Sequence, residues 1–360
     1  MAKVAFIGDS HMGYRHRFKV ERLSDFARSF EEAVEKALSE SPDAVVFLGD
    51  IVHHPRPDPV SLRTVLRNLI MCAEKTNVVV LVGNHEIEGH LGTTYAPIYS
   101  DLHEKIHVLT SENPHVILDF SGRKYGFHGF EYTRSPDVVK QKMAEVSGGE
   151  RGDVNILCLH QGIEGYVSPF EVSAQVLRHS APKFDLIVAG HIHKRQTIGE
   201  ISDLTPAYYV GSTERTSFNE SSNPTGFMVF DGEDFRNPRY VTVSSKSMEY
   251  VKKDFNGTPE QLNRFLEAII SKSQADLLKV EVEASLDGDF LDVRRDFSQY
   301  EAGRTLLEVS VVPKSAGEKS IDLDRLILDE AVLTQYFEKT GNKNEKLREI
   351  CLELFRKYGS

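Results

Sequence analysis

At 360 residues the chain is long enough for more than one domain and for a sizeable buried core. With 40% hydrophobic and 27% charged residues, and no apolar run near the roughly 18 residues a bilayer span needs, it reads as a globular protein without a membrane segment. A net charge of -11 excludes a protein that grips nucleic acid by a broadly basic surface, so any phosphate contact must be local or carried by bound cations.

Met1-Ala2-Lys3 leads straight into an apolar run without a signal-peptide pattern. Cys72, Cys158 and Cys351 are far apart and form no Cys-x-x-Cys. Both features are expected of a cytoplasmic protein with reduced, mostly buried thiols. Residues 3–8, 43–49, 77–83, 154–159 and 185–190 are continuous apolar runs, which predicts strands covered on both faces. Phe26, Phe30, Ala33 and Ala37 share one helical face, with Ser24 and Asp25 at the expected helix start. A second crossover helix is expected over 60–75, after Pro55, Pro57 and Pro59. Its stripe of Leu62, Val65, Leu66, Leu69, Ile70 and Ala73 is wide enough to serve either sheet packing or a dimer.

Strands over 207–210, 226–230 and 239–243 are expected to be hairpin pieces completing a second sheet. The fold class is therefore α/β, a sandwich of two mixed sheets flanked by helices. Past Ser244, a strand at 248–251, a helix at 258–271 and strands at 277–284 and 304–311 predict a small α+β capping domain. Residues 321–360 read as two helices broken at Gly341-Asn342. Leu323 and Ile327 lie on the first of them, and Leu347, Ile350, Leu354 and Phe355 on the second. Packing on the body and a helix-in-groove contact with another protein are both open to these stripes. The expected divisions are 1–244, 245–316 and 317–360.

Five blocks stand where buried strands end: Gly8-Asp9-Ser10-His11, Gly49-Asp50, Gly83-Asn84-His85-Glu86, Leu159-His160-Gln161 and Gly190-His191-Ile192-His193. Loops at the carboxyl ends of such strands converge on one crevice. Asp9, His11, Asp50, Asn84, His160, His191 and His193 supply mixed oxygen and nitrogen donors, which suit two ions such as Mn, Fe or Zn better than Ca or Mg. Asp50 is the natural bridge, since one anion between two cations offsets their repulsion. His16, His90, His103, His107, His115, His128 and His179 lack this context and read as ordinary, non-ligand histidines. The basic and aromatic loop Tyr14-Arg15-His16-Arg17-Phe18-Lys19 follows the first block. It reads equally as a DNA-backbone contact or a solvated loop, and Arg56 and Lys194 share that ambiguity.

The order Asp-x-His, Gly-Asp, Gly-Asn-His-Glu, His and Gly-His-x-His resembles the calcineurin-like metallophosphoesterases. Within them, Asp9 to Tyr14, Asp50 to His53, Leu159 to Gly162, Gly190 to Arg195 and Tyr209 to Arg215 resemble nucleases of the SbcD and meiotic-recombination-eleven type, which process DNA double-strand breaks. The resemblance implies a Mn-dependent exonuclease of 3′-to-5′ polarity with single-strand endonuclease activity. It implies one ion on Asp9, His11, Asp50 and His193, and a second on Asp50, Asn84, His160 and His191. His85 would give the proton to the departing oxygen, and His53 would contact the phosphate. Glu86 stands where many members carry Asp. The resemblance also implies a homodimer, with Leu62, Leu66, Leu69, Ile98 and Leu102 as the expected interface, and an SbcC-type coiled-coil ABC ATPase bound by the C-terminal helices. The alternatives are a small-molecule phosphodiesterase and a non-catalytic scaffold; the helix pair argues against the former and His85 against the latter.

Overall fold

A computed structural model of the chain describes residues 2–88, 93–94, 96–314 and 352. The chain divides into two compact units, Met1–Val312 and Pro313–Ser360. The expected ATPase-binding residues Leu323, Ile327, Leu347, Ile350, Leu354 and Phe355 lie outside the described residues, as do His90 and Cys351.

In chain order the strands are β1 (Lys3–Ile7), β2 (Ala44–Leu48), β3 (Asn77–Leu81), β4 (Ile87–Glu88), β5 (Thr93–Thr94), β6 (Ile106–Leu109), β7 (His115–Phe120), β8 (Arg123–Gly129), β9 (Val154–Leu159), β10 (Leu186–Ala189), β11 (Gln196–Thr197), β12 (Ala207–Tyr209), β13 (Gly226–Asp231), β14 (Arg239–Thr242), β15 (Met248–Gly257), β16 (Leu277–Leu286) and β17 (Leu306–Pro313). The helices are α1 (Glu21–Ser39), α2 (Pro59–Ala73), α3 (Ala96–Leu102), α4 (Pro136–Gly148), α5 (Ala174–Ser180) and α6 (Pro259–Lys272).

Among the described residues, one sheet runs β14-β13-β1-β2-β3-β6 and a second β11-β12-β10-β9-β8-β7. β1, β2, β3 and β6 are mutually parallel, as are β8, β9, β10 and β12, with antiparallel strands at the flanks. Phe6, Val46, Leu81, Phe127, Ile156 and Val188 fill the space between the sheets. Phe30, Val34, Val65 and Leu69 seal the outer face of the first sheet under α1 and α2, and Val139, Met143 and Leu177 that of the second under α4 and α5. The class is thus the expected α/β sandwich of mixed sheets flanked by helices. Cys72 and Cys158 are free and buried, and burial pushes the Cys72 thiol up to about 12. No helix among the described residues is long and apolar enough to cross a membrane.

Three expectations need correction. The pieces at 207–210, 226–230 and 239–243 do not complete one sheet: β12 joins the second sheet, whereas β13 and β14 extend the first through the pairing of β13 with β1. Helix α1 begins at Glu21, so Ser24 and Asp25 lie inside its first turns, where Asp25 accepts from the buried Arg22 at 3.0 Å. Leu69 is enclosed in the core of its own chain and offers no surface to a partner. Leu62, Leu66 and Leu102 are partly exposed, and Ile98 is open.

Residues 248–313 form a separate three-stranded sheet, β15-β16-β17, with α6 against it and a core of Leu262, Leu266, Ile270, Val280 and Val282. Helix α6 starts on a capping box, Thr258 accepting from Gln261 N while the Gln261 side chain accepts from Thr258 N.

Candidate metal centre

The five blocks meet where the two sheets end side by side. Asp9 and His11 follow β1, Asp50 follows β2, and Asn84 and His85 follow β3, all in the first sheet. His160 follows β9, and His191 and His193 follow β10, in the second. Carboxylate and imidazole donors of Asp9, His11 and His193 lie within 4.8 Å of one another, as do those of Asp9, Asp50 and His160, and those of His11, His53 and His85. Asn84 Oδ1 lies 3.2 Å from His160 Nε2 and 3.0 Å from His191 Nδ1. The seven residues expected as ligands therefore form one cluster, with His53 and His85 on its edge.

Bringing them together distorts the chain. Asp9, His11, Asp50 and His191 have φ of 49°, 45°, 50° and 79°, a left-handed region that costs such residues on the order of 1–3 kcal/mol each. Backbone bonds hold the strained turns, with His11 N and Met12 N donating to Asp50 O and Ile51 O, both at 2.8 Å. Gly49 (φ 87°) allows close approach, since a Cβ there would sit 2.5 Å from His160 Nδ1. Glu86 bolts two loops together: its buried carboxylate accepts from Gly83 N (2.8 Å), Asp50 N (3.2 Å) and Ile51 N (3.1 Å). Burial and the neighbouring Asp50 raise its pKa to about 7.

The donors suit cations. Both ring nitrogens of His160 face oxygen: Nδ1 donates to Leu48 O at 2.6 Å, and Nε2 lies 3.2 Å from Asp50 Oδ2. Such a ring must carry a second proton or meet a cation. Burial works against the proton, but Asp50 overrides it and raises the His160 pKa to about 10, while Asp50, despite its own burial, is held far below the usual carboxylate range by His160. Asp9 is pushed up to about 6 by burial, against the pull of His160 and His193. Burial depresses His11, and takes His53 and His191 down to about 4. Neutral imidazoles are the form that ligates metal.

His85 N donates to Asp50 Oδ1 at 2.9 Å, and its Nδ1 donates to His53 O at 2.8 Å. The His53 and His85 rings stack at 4.6 Å, and Tyr14 packs edge-on against His53, also at 4.6 Å. The Tyr14 hydroxyl donates to Thr216 O at 2.7 Å. Sequence reasoning did not reach Thr216 or Glu220, which stand behind His193; the Ser217-x-x-Glu220 spacing signals only a helix start, and nothing in it points 27 residues back to the metal cluster. His16 and His128, read as ordinary histidines, are buried: His16 meets Glu308 at 3.3 Å, and His128 meets Asn155 at 3.1 Å.

Of the expected DNA-contacting cations, Arg17 donates to Glu308 at 2.8 Å and Arg56 pairs with Glu88. Arg15 and Lys194 are exposed.

The donors gathered at the carboxyl ends of the mixed sandwich could hold metal, and the chain belongs to the calcineurin-like phosphoesterase family, whose model matches residues 2–195. Its relatives are more particular. It is 28% identical over 302 residues to the DNA double-strand break repair protein Mre11 of Halobacterium salinarum, covering 80% of this chain and 72% of that one. The protein of the same name from Haloferax volcanii is 29% identical, over 71% of this chain and 56% of its own. That from Methanococcus maripaludis is 24% identical, over 98% of this chain and 93% of its own.

Proposed function

We propose that the protein is a Mn-dependent DNA nuclease of double-strand-break repair, with exonuclease and endonuclease activity. The observation that carries this reading is His85: an imidazole at the edge of the ligand cluster whose Nδ1 proton is committed to a backbone carbonyl. With the ring protonated on both nitrogens, the Nε2 proton is the one free to pass to the leaving 3′ oxygen, and Nδ1–H stays on the carbonyl. Two divalent ions, one on Asp9, His11, Asp50 and His193 and the other on Asp50, Asn84, His160 and His191, would neutralise phosphate charge and activate water for in-line attack. Asp50 then serves as the shared carboxylate, kept anionic by His160. His53, stacked on His85 and propped by Tyr14, contacts the phosphate.

In the same reading the chain works in three parts, 1–244 for hydrolysis, 245–316 for substrate selection and 317–360 for binding an SbcC-type ATPase. Leu62, Leu66, Ile98 and Leu102 serve a homodimer, and Arg15 and Lys194 contact DNA.

The test is Mn-dependent digestion of an end-labelled linear duplex by wild type and His85→Ala, each with its bound metal measured. Wild type is expected to cut; His85→Ala, with its ions retained, is expected to lose about 100-fold or more in rate. Absence of cutting by the metal-loaded wild type would overturn the DNA substrate, and undiminished cutting by the variant would overturn the role of His85.

A further inference from the structure

We infer that Glu220 is a positioning residue for His193, and that it sets the affinity of one of the two ions selectively; the inference rests on the metallophosphoesterase reading above. His193 Nδ1 donates to Glu220 Oε1 at 3.0 Å, and the two side chains are equally shielded, each 16% exposed. The carboxylate is itself fixed. Thr216 N donates to Oε2 at 2.8 Å, and Thr216 Oγ1 and Ser217 Oγ donate to Oε1 at 3.0 and 3.5 Å. The short turn Phe218–Glu220 is anchored in turn by Phe218, buried with Leu277 and Leu306.

A carboxylate cannot donate, so the Nδ1 proton stays on the Glu220 side of the ring. Nε2 then presents its lone pair to the cluster, 2.9 Å from His11 Nε2 and 3.9 Å from Asp9 Oδ1. Two other imidazoles of the site are held from behind by neutral groups: His160 Nδ1 donates to Leu48 O and His85 Nδ1 to His53 O. An ionised partner fixes the tautomer as a carbonyl does, but also makes the opposite nitrogen a stronger donor. Glu220 lies beyond the matched residues 2–195, so this adjustment comes from outside the ligand motifs. Its effect falls on the ion bound with Asp9 and His11, because His193 belongs to that group.

The experiment is calorimetric and electron-paramagnetic titration of the metal-free full chain with Mn, comparing wild type with Glu220→Gln. Glutamine keeps the shape and leaves Thr216 an acceptor, but removes the charge and can turn an amide N–H toward Nδ1. One Mn is expected to bind about 10–100-fold more weakly while the other is unchanged, with melting temperature preserved. In a His193→Ala background the same substitution should have no further effect on Mn affinity. Wild-type binding of both ions by Glu220→Gln, equal weakening of both, or a loss that persists without His193 overturns the inference. If wild type binds a single ion, the two-ion reading fails, and Glu220 is judged by whether that ion loosens in Glu220→Gln.

Discussion

Gly83 leaves no room for a methyl group. An added Cβ would lie 2.1 Å from Asp50 Oδ1 and 2.4 Å from Asp50 N, although φ at -88° is ordinary for any residue. The constraint is space, and what must move is Asp50, carboxylate and backbone together. Gly83→Ala is therefore expected to displace Asp50 and weaken Mn binding at least about tenfold, at a stability cost of about 1–3 kcal/mol. Metal titration beside circular dichroism checks this, and wild-type affinity in the folded variant would refute it. At this scale the cluster was legible because Asp, Asn and His at strand ends carry their chemistry in their identity. The left-handed backbone at Asp9, His11, Asp50 and His191 was not, since φ leaves no mark in residues that are not glycine. Nor was Glu220, whose meaning depends on a partner distant in sequence.

The β7–β8 hairpin shows the same limits for elements. Its strands, His115–Phe120 and Arg123–Gly129, mix apolar residues with His, Asp, Gly, Lys and Arg, and their longest apolar run is the three residues Val116-Ile117-Leu118, too short to signal a buried strand. β1, β2, β3, β9 and β10 do signal themselves, because strands buried on both faces must be apolar throughout. β13 and β14 were foreseen but misplaced, since a strand's own residues do not say which sheet it joins. Within the hairpin, His128 Nε2 donates to Asn155 Oδ1 at 3.1 Å, and His115 and His128 meet through their Nδ1 atoms at 2.9 Å. Burial lowers the His128 pKa to about 4, against the opposing Asn155 bond. Between about pH 4 and 6.5 the unfolded chain binds this proton and the folded one does not, so stability rises with pH across that window and falls on acidification. A His128→Gln variant is expected to show a flatter dependence of melting temperature over pH 4–6.5 than wild type. A parallel dependence would exclude His128 as its source.

Across the whole molecule, two cations of the loop after the first ligand block, Arg17 and Lys19, face acids from the three-stranded sheet and its connections. Arg17 donates twice to Glu308, Lys19 lies 3.8 Å from Glu301, and one cleft gathers Arg17, Lys279 and Arg295 with both carboxylates. A DNA phosphate that reached beyond Arg15 and Lys194 to Arg17 would have to compete with Glu308 for its guanidinium. Glu308→Gln in the uncut His85→Ala background is expected to tighten DNA binding up to about fivefold at low salt. It should also steepen the log-affinity against log-salt slope by about one. Anisotropy titrations over a salt series measure both, and an unchanged slope would show that phosphate does not reach Arg17. The division of the cluster between two sheets has a consequence for the life of the chain. Asp9, Asp50 and Asn84 emerge early in synthesis, but β1 lacks its outer neighbour until β13 is made, and the imidazoles of the second sheet come only after residue 159. A ribosome-bound or half-docked chain thus holds scattered fragments of a centre and no working whole. A centre able to hold its ions is therefore assembled only when both sheets are complete.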